Sequence, residues 1–144
     1  MAHPRTATMS TQEVVAETIA REARSQGQAG MRAVAWVIRN RAMNPRWWGK
    51  DWREVCLKRY QFSCWLESDP QYARFIMDKS PTTPDGMAYS HAYEIAQEVM
   101  EGKGADPTGG ADHYYDTSIS PPKWAVSSPE VFSLGRLRFH RVEL

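Results

Sequence analysis

The chain has 144 residues, which suits one domain around one core. Hydrophobic residues make up 42% and charged residues 24%, the balance of a globular protein rather than a disordered one. Eighteen basic residues against seventeen acidic leave a net charge of +1, which gives no global attraction to nucleic acid or anionic lipid.

No apolar run is long enough to span a bilayer, so no membrane insertion is expected. The opening MAHPRTATMS has no apolar h-region, so no signal peptide is expected and synthesis is placed in the cytosol. The two cysteines, Cys56 and Cys64, form no CxxC and are expected to pack as reduced, small apolar groups. Six Trp and six Tyr are many for this length. Such side chains fill cores, and they also line grooves that bind sugars.

Residues 1–9 are expected to form a loose tail ahead of one domain over 10–144. Ser10-Thr-Gln-Glu13 fits a capping box, and Val14, Val15, Thr18 and Ile19 follow at helical spacing. Gly27 is the expected stop, which puts Glu22 near the end of the first helix. A second helix is expected over 28–42, with Met31, Val34, Ala35 and Ile38 inward and Asn44-Pro45 ending it. Arg46 to Lys50 reads as a loop, with Trp47 and Trp48 as candidate sugar platforms. Asp51 is a cap for a short helix to about Lys58. Ser68-Asp69-Pro70 starts another, with Tyr72, Phe75 and Ile76 inward. Residues 80–86 read as a break, followed by a helix from about Met87 to Glu101 and Gly102 at its end. Past Gly104, proline, glycine and aromatics dominate. Alternation around Gly135 predicts a small hairpin there. The expected class is α+β and mostly helical, with an irregular C-terminal third.

The four histidines, His3, His91, His113 and His140, show no HxxxH or HExxH spacing, so no metal site is expected. Neither a GxSxG elbow nor a phosphate-cradling glycine loop occurs. A thiol nucleophile, Cys64 or Cys56 with His113 or His140, stays open as a cysteine-dependent amidase or peptidase. The remaining chemistry is that of carboxylates. A glycosidase needs a carboxylic acid able to give its proton to the glycosidic oxygen. Glu22 lies between Arg21 and Arg24, but neighbours at i−1 and i+2 on a helix point to other faces. By pattern alone Glu22 reads as a solvated surface residue rather than as an acid.

Val14 to Arg41, VVAETIAREARSQGQAGMRAVAWVIRNR, resembles the opening of the SleB/CwlJ family of cell-wall hydrolases. Downstream, Gln61-Phe-Ser-Cys-Trp65, Asp106-Pro-Thr-Gly-Gly110, His113-Tyr-Tyr115, Pro122-Lys-Trp124 and Leu134 to Arg141 are similar to later family segments, in order. The resemblance covers about residues 13 to 141. It departs near Arg136, where histidine is common in the family. It implies a lysozyme-like, lytic-transglycosylase-like helical fold and a peptidoglycan glycosidase without metal or cofactor. The family's acid maps onto Glu22, which the negative end of the first helix would help keep protonated. Gln61, Ser63, His113, Tyr114, Tyr115 and Trp124 are the implied substrate-binding residues, with one of the two adjacent tyrosines facing the cleaved bond. Glu17, Glu67, Asp112 and Asp116 are available as a second carboxylate, none marked by spacing. A lytic transglycosylase needs only one acid, because the sugar's own 6-hydroxyl closes onto the anomeric carbon. The expected setting is a monomeric phage endolysin acting on peptidoglycan, with no nucleic-acid partner. The alternatives are the cysteine enzyme and a non-catalytic wall-binding protein.

Overall fold

In a computed structural model the protein is described at residues 6–58, 61–62, 65 and 79–144. Three helices carry the core: α1 (Thr11–Ala23), α2 (Gly27–Ala42) and α4 (Pro84–Met100). The short α3 (Trp52–Leu57) lies against α1 and α2. Strands β1 (His113–Asp116), β2 (Glu130–Leu134) and β3 (Leu137–His140), with α5 (Lys123–Ser127) between β1 and β2, complete the chain.

The helix starts follow the sequence closely. Ser10 accepts from the Glu13 N–H while Glu13 reaches back to the Ser10 N–H, so the capping box satisfies two end groups of α1. Asp51 caps α3 through the Glu54 N–H. The helix expected from Met87 starts three residues earlier. Thr83 accepts from the Gly86 N–H and Pro84 takes the first helical position, where its missing N–H costs nothing. A Cβ on Gly86 would lie 1.6 Å from the Ser80 carbonyl oxygen, so only glycine fits that turn. At the other end of α4, Gly102 has φ 74, and Arg39 of α2 donates to the Val99 carbonyl at 3.0 Å. The helix expected from Ser68 lies outside the described residues.

Helices α1 and α2 are joined by a single 3-10 turn, Arg24–Gln26, so they share one corner rather than a loop. Val14, Val15, Ile19, Val34, Val37, Ile38, Ile95 and Val99 fill the space between α1, α2 and α4. Thr6 is also buried, and Arg53 donates to the Thr6 and Met9 carbonyls, at 2.9 Å for Met9. The chain just ahead of α1 is therefore held against α3.

The C-terminal third is more regular than its composition suggests. The hairpin turns at Gly135, with φ 54, and β1 adds to its β3 edge, giving an antiparallel sheet of order β1-β3-β2. Cross-strand partners share a face. Tyr114 therefore lies with Phe139, and His113 with His140. Leu137 and Phe139 are buried and turn the sheet's inner face to the helices.

Candidate active site

Glu22 stands half-buried in the last turn of α1, beside the corner into α2. Tyr114 reaches it from β1 and donates its hydroxyl to Glu22 Oε1 at 2.6 Å. Contact with the Phe139 ring, at 5.6 Å between centroids, steadies the Tyr114 ring. The flanking arginines have their own partners. Arg24 pairs with Asp85 in the first turn of α4. The Nε of Arg21 lies 3.5 Å from Glu17 Oε2, and its guanidinium stands 5.6 Å from the Trp65 ring.

The corner is tied to the sheet at a second point. Gln26 Oε1 accepts from the Arg136 N–H at 3.3 Å. Gly135 makes room for it, since a Cβ there would lie 2.0 Å from that oxygen. Glu22 and Tyr114 thus sit on two elements that are latched together close by.

Arg41, near the end of α2, is buried and organises the next layer. Its Nε donates to the Asp112 carbonyl at 2.7 Å and its Nη1 to Gln61 Oε1 at 3.2 Å. The guanidinium lies 5.6 and 5.2 Å from the Trp47 and Trp48 rings. Burial lowers its pKa, while the oxygens of Tyr114 and Asp112 act the other way. Gln61 is therefore held by a buried cation. Sequence reading passed over Arg41; its only local sign was the Asn-Arg that closes the helix.

Alternation along β1 separates the remaining candidates. Tyr114 points to Glu22, whereas His113 and Tyr115 point to the opposite face of the sheet, where His113 is buried against Trp47 and Trp48. There His113 meets Trp124 at 4.9 Å, and Tyr115 meets Trp124 at 5.9 Å and His140 at 6.0 Å. Of the four C-terminal candidates, Tyr114 is the one that touches Glu22. Ser63, Cys64 and Glu67 lie outside the described residues. Trp48 is fully buried and donates to the Arg41 and Asn44 carbonyls, so it is a core residue and not a sugar platform. Trp47 is 45% exposed.

The described candidates for a second carboxylate are engaged. Glu17 is buried, within 3.5 Å of both Arg21 and Lys79. Asp116 accepts from the Ser118 N–H and pairs with Arg136. Asp112 is buried. Burial alone would raise its pKa, but His113 and the N–H groups of Val142, Glu143 and Leu144 overcome this and hold it well below the usual carboxylate range. Asp106 has a comparable structural task. It accepts from the Thr108 N–H and hydroxyl, the Gly110 N–H and Asn40. The Asp-Pro-Thr-Gly-Gly segment is thus a loop staple tied to α2. Among the described residues no group of three or more His, Cys, Asp or Glu is placed to hold a metal ion, and no helix is long and apolar enough to cross a membrane.

The sequence pattern of the Cell Wall Hydrolase family matches residues 25–140; Glu22 lies just before the matched stretch. No curated protein matches the chain. Two solved structures share its fold. One is the catalytic domain of the germination-specific lytic transglycosylase SleB from Bacillus anthracis, 22% identical, with a TM-score of 0.65 and coverage of 96% of this chain and 99% of that one. The other is the catalytic domain of the Bacillus cereus SleB protein, 22% identical, with a TM-score of 0.62 and 94% of each chain covered. The family match spans most of the chain, and the chain belongs to the cell wall hydrolase family, of SleB/CwlJ type, as a peptidoglycan-degrading enzyme.

Proposed function

We propose that the protein cleaves the glycan strand between N-acetylmuramic acid and N-acetylglucosamine, with Glu22 as general acid and then general base. The observation that carries this reading is the Tyr114 hydroxyl on Glu22 Oε1 at the α1–α2 corner. A proton donor has to be aimed as well as present, and Tyr114 fixes the carboxyl's direction. In the first half-reaction Glu22 gives its proton to the glycosidic oxygen, and the C1–O bond breaks with oxocarbenium character. In the second, the Glu22 carboxylate takes the proton of the sugar's 6-hydroxyl as that oxygen bonds to C1.

The single-acid route is supported by the engagement of Glu17, Asp112 and Asp116 in ion pairs or backbone hydrogen bonds. A hydrolase that retains or inverts configuration needs a second carboxylate facing the anomeric carbon. The SleB domain named as a lytic transglycosylase shares the fold. Gln61, pinned by Arg41, is placed in this reading as a sugar contact, with Ser63 beside it in sequence. Tyr115 and Trp124 would meet the strand only where it crosses the far face of the sheet, with buried His113 behind Trp124.

The test is digestion of purified peptidoglycan, followed by weighing of the fragments. Anhydro ends with the wild type, and none from a folded Glu22→Gln variant, support the proposal. Undiminished cleavage by Glu22→Gln overturns it, and full-water reducing ends replace the transglycosylase with a muramidase. A role as a phage endolysin rests on the sequence resemblance. It predicts that cytosolic expression lyses a host only once its membrane has been opened.

A further inference from the structure

Arg41 is a charged group inside the core, 5% exposed in the last turn of α2. A buried cation is costly unless it is fully engaged, and this one is held on several sides. The Trp47 and Trp48 rings lie 5.6 and 5.2 Å from the guanidinium. Trp48 is tied to the same residue by its Nε1, which donates to the Arg41 carbonyl at 3.0 Å. The Arg41 Nε donates to the Asp112 carbonyl at 2.7 Å, just ahead of β1. Its Nη1 donates to Gln61 Oε1 at 3.2 Å. The oxygen of Tyr114, which meets Glu22, is close enough to act on the same charge. Gln61 and the Tyr114–Glu22 pair thus share one buried cation.

That pairing decides which way the Gln61 amide faces. A guanidinium has donors and no acceptor, so the amide can meet it only through its oxygen. The –NH2 end diverges from that oxygen, and Gln61 is half-buried rather than enclosed. What it offers a ligand is therefore two donors. An unheld glutamine could turn over and present either end. Arg41 removes that freedom.

The orientation matters for one kind of sugar substituent. Hydroxyls both donate and accept, so either end of an amide suits them. An acetamido carbonyl only accepts, and the ammonium left when the acetyl group is removed only donates. A fixed donor end pairs with the carbonyl. It sets donor against donor with the ammonium, and the Arg41 charge behind it adds repulsion. We propose that Arg41 is a positioning residue that locks Gln61 as a hydrogen-bond donor, so that the site selects glycans carrying N-acetyl groups over N-deacetylated ones. This rests on the reading that a glycan is the substrate, but it does not depend on Glu22 being the acid.

Calorimetry with tetramers of N-acetylglucosamine and of glucosamine reads binding alone, since neither contains an N-acetylmuramic acid linkage. The wild type should bind the acetylated tetramer about tenfold or more tighter than the deacetylated one. Gln61→Glu is the variant that separates positioning from packing. Its carboxylate keeps one oxygen for Arg41 and turns the other, an acceptor, outward. The melting temperature should hold or rise. The acetylated tetramer should bind about tenfold or more weaker, and the preference should vanish or reverse. If Gln61 served only to satisfy Arg41, this variant would bind as the wild type does. Arg41→Met frees the amide, and where it melts near the wild type it should lose the preference with Gln61 intact; Gln61→Glu answers the question even where Arg41→Met does not fold. Equal affinity of the wild type for the two tetramers, no saturable binding of either, or a preference unchanged in Gln61→Glu or in folded Arg41→Met would overturn the proposal. The expected binding pattern together with undiminished strand cleavage by a folded Glu22→Gln variant would overturn the Glu22 reading alone.

Discussion

Tyr114 on β1 and Glu22 on α1 are 92 positions apart in the chain, and their side chains meet at 2.6 Å. The contact joins the sheet to the helix corner. Replacing Tyr114 by Phe removes the donor and keeps the ring on Phe139. The expected outcome is a fall in kcat of about 10- to 100-fold with the melting temperature nearly unchanged, against a loss of about 100-fold or more for Glu22→Gln. Turnover on peptidoglycan, with melting curves alongside, checks both. Equal activity of Tyr114→Phe and the wild type would reduce the tyrosine to a packing role.

The latch between Gln26 and the hairpin gives a second prediction. Gly135 has φ 54, and a Cβ there would meet Gln26 Oε1 at 2.0 Å. Gln26 can swing away, so the steric conflict is cheap, but its hydrogen bond to the Arg136 N–H is then lost. Gly135→Ala should cost about 1–3 kcal/mol, from the left-handed backbone and the lost bond together. Gln26→Ala should cost about 1 kcal/mol. Both act on one bond, so the double variant should cost less than the sum. Denaturant unfolding of the three variants measures the coupling, and strict additivity would mean that the latch does not operate.

These two relationships mark the boundary of what sequence reading could reach. The caps at Ser10 and Asp51, the glycine at 102 and the turn at Gly135 depend on neighbours a few positions away, and each appears where its residue type requires it. The start of α4 was misread because Pro84 and Gly86 looked like parts of a break, although proline is welcome in a helix's first turn. The strand β1 is four residues long in a stretch rich in glycine and proline, and only its pairing with β3 defines it. Glu22 was marked by resemblance, not by pattern. That Tyr114 rather than Tyr115 faces it follows from the phase of β1, which pairing fixes. Asp112 is available as a second carboxylate by residue type alone; besides neighbouring His113, the backbone N–H groups that it accepts from lie 30 to 32 positions away.

Cys56 is fully buried on α3, and burial pushes its thiol up to about 12. A thiol in that state supplies almost no thiolate at neutral pH. Native protein treated with iodoacetamide at pH 8 should remain unmodified at Cys56, and unfolding should expose it to full alkylation. Cys56→Ala should retain wall-degrading activity. Peptide mapping by mass spectrometry checks the first outcome and turnover the second. Rapid native labelling of Cys56 together with loss of activity would revive a thiol mechanism.

Asp112 sets the expected acid limit of stability. Its carboxyl is held below the usual range by His113 and three backbone N–H groups, which outweigh the opposing effect of burial. A group whose pKa is depressed on folding stabilises the protein above its unfolded value, about 3.9. That stabilisation fades as pH falls from there through the folded pKa. The unfolding free energy should therefore be level in this contribution near neutrality and decline below about pH 4. Asp112→Asn keeps the shape but removes the charge, and leaves backbone donors on a weaker acceptor. It should lower stability at pH 7 by about 1–3 kcal/mol and flatten the decline below pH 4. Urea unfolding of both proteins between pH 2.5 and 7 measures the two slopes. Parallel curves would mean that Asp112 does not govern the acid limb.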